Sequence, residues 1–126
     1  MKKNSKKSAY RFGVDAERIA SWYLRLKCYR VLAMRYRNGG GEIDIVAAKG
    51  RTLIAVEVKA RRNFKECEET VMPWKQQKIA RAMEGLIAGH KPICGLVQAH
   101  TRDIRFDVIW IVRGKWPKHI KDAWRM

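Results

Sequence analysis

The chain has 126 residues, 47% of them hydrophobic, which is one ordinary domain with enough apolar material for a single core. Its formal charge of +16, from 28 basic and 12 acidic residues, exceeds what solubility needs and favours a polyanionic partner, because each neutralised phosphate releases counterions. An anionic membrane would also fit the charge, but no apolar run approaches the ~20 residues of a bilayer span, and no hydrophobic stretch follows the basic N-terminus as in a secretory signal.

Residues 1–11 hold Lys2, Lys3, Lys6, Lys7 and Arg11 and read as a solvated, flexible basic arm ahead of a single domain over 12–126. Phe12 to Leu26 reads as a helix, with Phe12, Ala16, Ile19, Ala20 and Tyr23 on its apolar stripe. A strand over Tyr29 to Arg35 follows, then the breaker Asn38-Gly39-Gly40-Gly41. Two further strands, Ile43 to Ala48 and Arg51 to Ala60, are joined through Lys49-Gly50 as a tight hairpin turn. Arg61 to Thr70 reads as a mobile loop, and Pro73 opens a second helix that runs to Ala88. Lys91 to Asp103 fits neither pattern clearly. Phe106 to Val112 is nearly all apolar, as a strand covered on both faces would be, and the amphipathic tail from Trp116 has no evident place. The expected architecture is α/β, one mixed sheet flanked by helices in the order α-β-β-β-α-β. Cys28, Cys67 and Cys94 are odd in number and too widely spaced for a zinc knuckle, which suggests a reducing cytoplasm and structural thiols; the three histidines show no ligand spacing either.

Chemistry concentrates in the hairpin. Glu42 and Asp44 alternate with Ile43 and Ile45 on one strand, and Glu57 and Lys59 alternate with Val56 and Val58 on the next. With Lys49-Gly50 as a two-residue turn, Ala48 pairs with Arg51 and Glu42 with Glu57. Asp44 is then a diagonal neighbour of Glu57 at about 7 Å, near enough for both to reach one cation. An odd loop would throw the two onto opposite faces. A metal-dependent phosphodiesterase needs this kit: carboxylates for a divalent cation and an ammonium for a water or phosphate oxygen. The same alternation also suits a half-exposed hairpin, but three carboxylates converging without a cation would destabilise it.

The segments Gly41-Glu42-Ile43-Asp44 and Val56-Glu57-Val58-Lys59 resemble the PD-(D/E)XK nuclease core. The wider pattern is similar to the YraN-like family of small bacterial proteins, relatives of archaeal Holliday-junction resolvases. It includes Gly13, Glu17, Ala20, Tyr23-Leu24, Val71 to Lys75, Arg81-Ala82 and Arg105-Phe106-Asp107-Val108. The resemblance implies a restriction-endonuclease-like fold and DNA as substrate, with branched or junction DNA a further expectation. It implies Mg²⁺ or Mn²⁺ held by Asp44, Glu57 and the main-chain carbonyl of Val58, with Lys59 orienting the attacking water and offsetting transition-state charge. Glu17 matches the N-terminal helix acid of resolvase-type members, a further catalytic candidate. The pattern departs at Arg35, where the family leads one to expect Asn, and in lacking the proline of the core motif. Cutting a junction symmetrically would require a homodimer.

Arg61, Arg62 and Lys65 follow the proposed catalytic strand and are candidate phosphate contacts; Lys75 and Lys78 form a basic side of the second helix. Trp110 is expected in the core, and Asp107 beside a structural arginine. The competing function is a nucleic-acid-binding or adaptor module in DNA recombination or uptake that keeps the nuclease fold without cleaving.

Overall fold

The computed structural model describes residues 2–63, 65, 71–88 and 103–125. Helix α1 (Lys2–Leu26) is followed by strands β1 (Arg30–Asn38), β2 (Gly41–Lys49) and β3 (Thr52–Arg61), helix α2 (Pro73–Ile87), and strands β4 (Asp103–Val112) and β5 (Lys118–Trp124). The described elements thus run α-β-β-β-α-β-β, one strand more than the expected α-β-β-β-α-β, the addition coming from the tail. One five-stranded sheet runs β1-β2-β3-β4-β5, antiparallel except for the parallel β3–β4 pair. That single parallel pair makes the sheet mixed, and its connection must carry α2 across a face.

The helices cover opposite faces. Ala16, Ala20 and Leu24 of α1, spaced by four, pack on Ile45, Ala47, Ile54, Val56, Ile109 and Ile111. Ile19, expected on this stripe, is 43% exposed, because one residue from Ala20 it lies roughly 100° round the helix from the middle of the Ala16, Ala20 and Leu24 row. Ile79, Ala82, Met83 and Leu86 of α2 pack on Ile43, Val46, Leu53, Ala55 and Val108. Full burial of one such aliphatic side chain contributes about 1.5–3 kcal/mol. Trp110 is core, as expected, and Trp124 stacks on Phe106 at 5.3 Å, sealing β5 to the sheet. No helix among the described residues is long and apolar enough to cross a membrane.

Helix α1 begins before Phe12, so the backbone read as an arm continues the helix from Lys2. The loop expected over Arg61–Thr70 is described only at residues 61–63 and 65, and the segment from Lys91 to residue 102 lies outside the described residues, as do Cys67 and Cys94. Cys28 is an exposed free thiol, not a packed one. It ends α1 at φ 69°, with Cys28 N–H bonded to Arg25 O and Tyr29 N–H to Leu24 O, the Schellman pattern.

The hairpin register differs from expectation by one step on each strand. Lys49 pairs with Thr52, so Gly50-Arg51 is the turn. Gly50 has φ 59°, as a type II′ turn requires at its first central position; reading Lys49-Gly50 as the turn put glycine second. The loop stays even, but the pairing has moved by two residues, so the register continued one step past Ile45↔Val56 sets Asp44, not Glu42, against Glu57.

Gly41 fixes how closely α2 lies on β2. A Cβ there would run into the Lys78 carbonyl and Ala82. Gly41→Ala is expected to cost about 2 kcal/mol or more, since backbone on backbone cannot yield as a side chain can, and chemical denaturation would register it. A loss under ~0.5 kcal/mol would mean that α2 is free to ride up.

Candidate active site

The β2–β3 ladder ends at Ile45↔Val56, and Asp44 and Glu57 are the first residues beyond it on their strands. Regular alternation also breaks here. Ile43 packs with Val46 on the α2 face while Ile45 packs on the α1 face, which an unbroken pleat forbids. Across in β1, between the pairs Met34↔Ile45 and Tyr36↔Ile43, Arg35 has φ 49°. Asparagine tolerates that left-handed backbone better than most residues, which explains why the family pattern leads one to expect it at this position. Two strands therefore kink together at 35 and 44, and β2 parts from β3.

The fork leaves a main-chain donor to satisfy, and Val58 N–H donates to Asp44 Oδ2 at 2.9 Å. Asp44 thus spans the gap between the strands. Glu57 is 3% exposed, and Lys75 Nζ from the first turn of α2 lies 2.5 Å from its Oε1. Burial pushes the Asp44 carboxyl up to about 7, helped by the nearby charges of Glu57 and Glu17 and opposed by the Val58 N–H and Lys75. Burial works against the Lys75 ammonium, yet its bond to Glu57 and the charges of Glu57 and Asp44 raise its pKa on balance. Two carboxylates that repel and desolvate one another are thus gathered where the sheet opens, with one lysine offsetting them.

The other expected members have contacts of their own. Glu17 accepts from Arg35 Nε at 2.8 Å, so the helix acid reaches Asp44 through its field and not by contact. Glu42 is exposed beside Arg37, 3.7 Å away, and does not join the pair; the three-carboxylate convergence expected from the earlier register is a convergence of two. Lys59 lies on the Glu57 face, its Nζ 5.2 Å from the centroid of the Trp110 ring. Arg61 flanks the same ring at 5.5 Å and donates to Ala60 O, while Arg62 and Lys65 are exposed. Lys78 sits over the half-exposed Trp74 ring at 5.4 Å and, with Arg37 and the β1–β2 turn, lines a cleft of ≈ 500 Å³.

Among the described residues no three His, Cys, Asp or Glu side chains converge tightly enough to hold an ion by themselves. The donor set fits a hard cation all the same. Two carboxylates are ligands of the kind magnesium takes, that ion keeps several waters, and the pair already attracts an ammonium.

One cluster escaped the sequence reading. Asp107, fully buried, accepts two bonds from Arg105 at 2.8 Å, one from His119 Nε2 at 2.7 Å and one from Asp122 N–H. The structural arginine expected for Asp107 is therefore present. His119, given no role by spacing, is the partner that β5 brings; only a placed fifth strand could have shown it.

A mixed sheet between two helices, with an acidic pair at the fork of its central strands, defines an α/β domain of restriction-endonuclease-like architecture. The family model described as "Uncharacterised protein family UPF0102" matches residues 16–111. Similar chains carry the name UPF0102 protein in Parvibaculum lavamentivorans, at 43% identity over 94% of this chain and 84% of that one, and in Bartonella tribocorum, at 40% over 94% and 86%. Another, from Bradyrhizobium diazoefficiens, is 39% identical over 92% of this chain and 83% of its own. The chain belongs to the UPF0102, or YraN-like, family.

Proposed function

We propose that this protein is a Mg²⁺- or Mn²⁺-dependent endonuclease that hydrolyses phosphodiester bonds in DNA, with branched DNA as the favoured substrate by family analogy. The observation that carries the reading is the Asp44–Glu57 pair, two desolvated carboxylates held together in a chain of charge +16. Such a pair costs stability and repels a polyanion unless a cation bridges them. Asp44, Glu57 and the Val58 carbonyl would hold the ion, whose chemistry there is Lewis acidity toward a phosphoryl oxygen and acidification of water.

The chain's own residues supply the rest. Lys59, one strand position past the Glu57 neighbour Val58, orients the attacking water and offsets charge gathering on the phosphorane-like transition state. Arg61, Arg62, Lys65, Lys75 and Lys78 place positive charge around the strand fork for phosphates to contact. Two symmetric copies would serve a junction cutter.

Cleavage of end-labelled four-way-junction, flap and linear DNA with Mg²⁺, Mn²⁺ or EDTA, beside Glu57→Gln, tests this directly. Metal-dependent products absent from the variant support the nuclease. Lys59→Ala is expected to lose about 10²–10³-fold in rate while retaining the ion, the usual effect of removing one preorganised group. Cutting at the wild-type rate would reject that role for the lysine.

The charge of +16 also favours a second reading, a module that binds nucleic acid without cutting it. Salt-sensitive DNA binding indifferent to metal, with no product under any ion, would establish that module instead.

A further inference from the structure

Lys75 is in an unfavourable place for a lysine. Pro73 opens α2, so Lys75 lies in its first turn, where the helix dipole disfavours a cation, and that turn holds no acidic residue to compensate. Helix stability therefore does not account for it. What accounts for it is the far end of the side chain, where the ammonium meets Glu57 and feels the charge of Asp44. The two ends of the pair differ in freedom: the Glu57 side chain is 4% exposed and Lys75 is 43% exposed. Glu57 is fixed, and Lys75 can swing into solvent at the cost of little more than this one contact.

We infer that Lys75 is the resident cation of the acidic pair, which a divalent ion must displace and which an arriving phosphate draws away. The inference rests on the proposed metal-dependent function and adds a coupling to it. An ion that takes Glu57 frees Lys75, whose charge then lies beside the strand fork where a phosphate would be. A polyanion that captures Lys75 conversely leaves Glu57 open to the ion. Each ligand therefore raises the affinity of the other by the same factor. The site stays compensated, and weak for metal, until nucleic acid is present. A device of this kind would restrain cutting to engaged substrate.

The test is titration of wild type, Lys75→Met and Lys75→Arg with Mn²⁺ alone, reading free ion by electron paramagnetic resonance without DNA. Lys75→Met is expected to bind Mn²⁺ about 10-fold tighter than wild type, within the usual range of site coupling, and Lys75→Arg to bind like wild type. Adding a short phosphorothioate duplex should tighten Mn²⁺ binding by wild type and leave Lys75→Met nearly unchanged. Equal or weaker binding by Lys75→Met, with wild type binding the ion, overturns the role of Lys75 and spares the nuclease reading. An equal response of both proteins to the duplex overturns the hand-over to phosphate. No Mn²⁺ binding by any of the three overturns this inference and the metal-dependent function together.

Discussion

Asp107→Ala is expected to destabilise the fold by about 3–5 kcal/mol, the scale for removing one partner of a buried ion pair. The carboxylate is fully buried and takes four hydrogen bonds, from Arg105 twice, His119 and the Asp122 backbone. The network extends to Tyr29, whose hydroxyl accepts from Arg105, and to Lys27, 2.7 Å from His119 Nδ1. A carboxylate only accepts and an ammonium only donates, so His119 carries its proton on Nε2 and accepts at Nδ1. One side chain thus joins the end of α1, strand β4 and edge strand β5. The alanine variant would strand a guanidinium and a ring that is 1% exposed, and β5 would be the first element to loosen. Hydrogen exchange along 118–124 beside urea unfolding would measure both effects. A loss under ~1 kcal/mol would show that β5 is not held by this network.

The same network sets acid stability. Burial alone would raise the Asp107 carboxyl, but the bonds from His119, Arg105 and Asp122 N–H overcome it and hold the group at about 2. Its folded value lies below its unfolded one, so its contribution is complete above pH ~4 and is lost as pH falls from there toward 2. Acid unfolding that is steep in this window, and flattened in Asp107→Asn, is the expected profile.

How much of this was legible differs by region. Helix α2 is legible through Pro73 at its first position, and β3 through its Val and Ala run, because burial writes itself into residue type. The acidic pair was visible as the wrong residue types inside strand-like runs. Its geometry was not, because strict alternation fails where Arg35 and Asp44 kink their strands together. No local signal marks Arg35 as left-handed, since the residue tolerates that backbone only in context. Strand β5 is hard to read in the sequence for the opposite reason. Lys118, Lys121 and Asp122 make it a charged edge strand, and an edge needs little apolar material on its outer side. With β5 unplaced, His119 had no partner to suggest. Lys75 was legible as a basic residue beside a candidate site, but its bond to Glu57 depends on how closely Gly41 lets α2 approach.

Asp44→Asn is expected to act in opposite directions on cleavage and on stability. Cleavage should fall by about 10³-fold, on the scale of losing a preorganised electrostatic group. The metal-free protein should nonetheless become more stable at pH 8. Asn keeps an oxygen for the Val58 N–H, so the strand fork retains its bridge. What it loses is a charge held at a cost: the Asp44 carboxyl stands at about 7 in the folded state against an ordinary value of 3.8. An acid raised on folding binds its proton more tightly in the native state, so its contribution to stability is fully present below pH ~4 and declines as pH rises to 7. Wild type should therefore lose about 1–3 kcal/mol across that window, at roughly 1.4 kcal/mol per unit discounted for relaxation, and the variant should not. Saturating Mg²⁺ would return the loss to wild type alone, because a ligand bound only by the native state stabilises it by mass action. Thermal unfolding of both proteins at pH 5 and pH 8, in EDTA and in Mg²⁺, gives four comparisons. A variant less stable than wild type in EDTA at pH 8 would mean that the Asp44 charge serves the fold, and the case for a site kept at the expense of stability would fail.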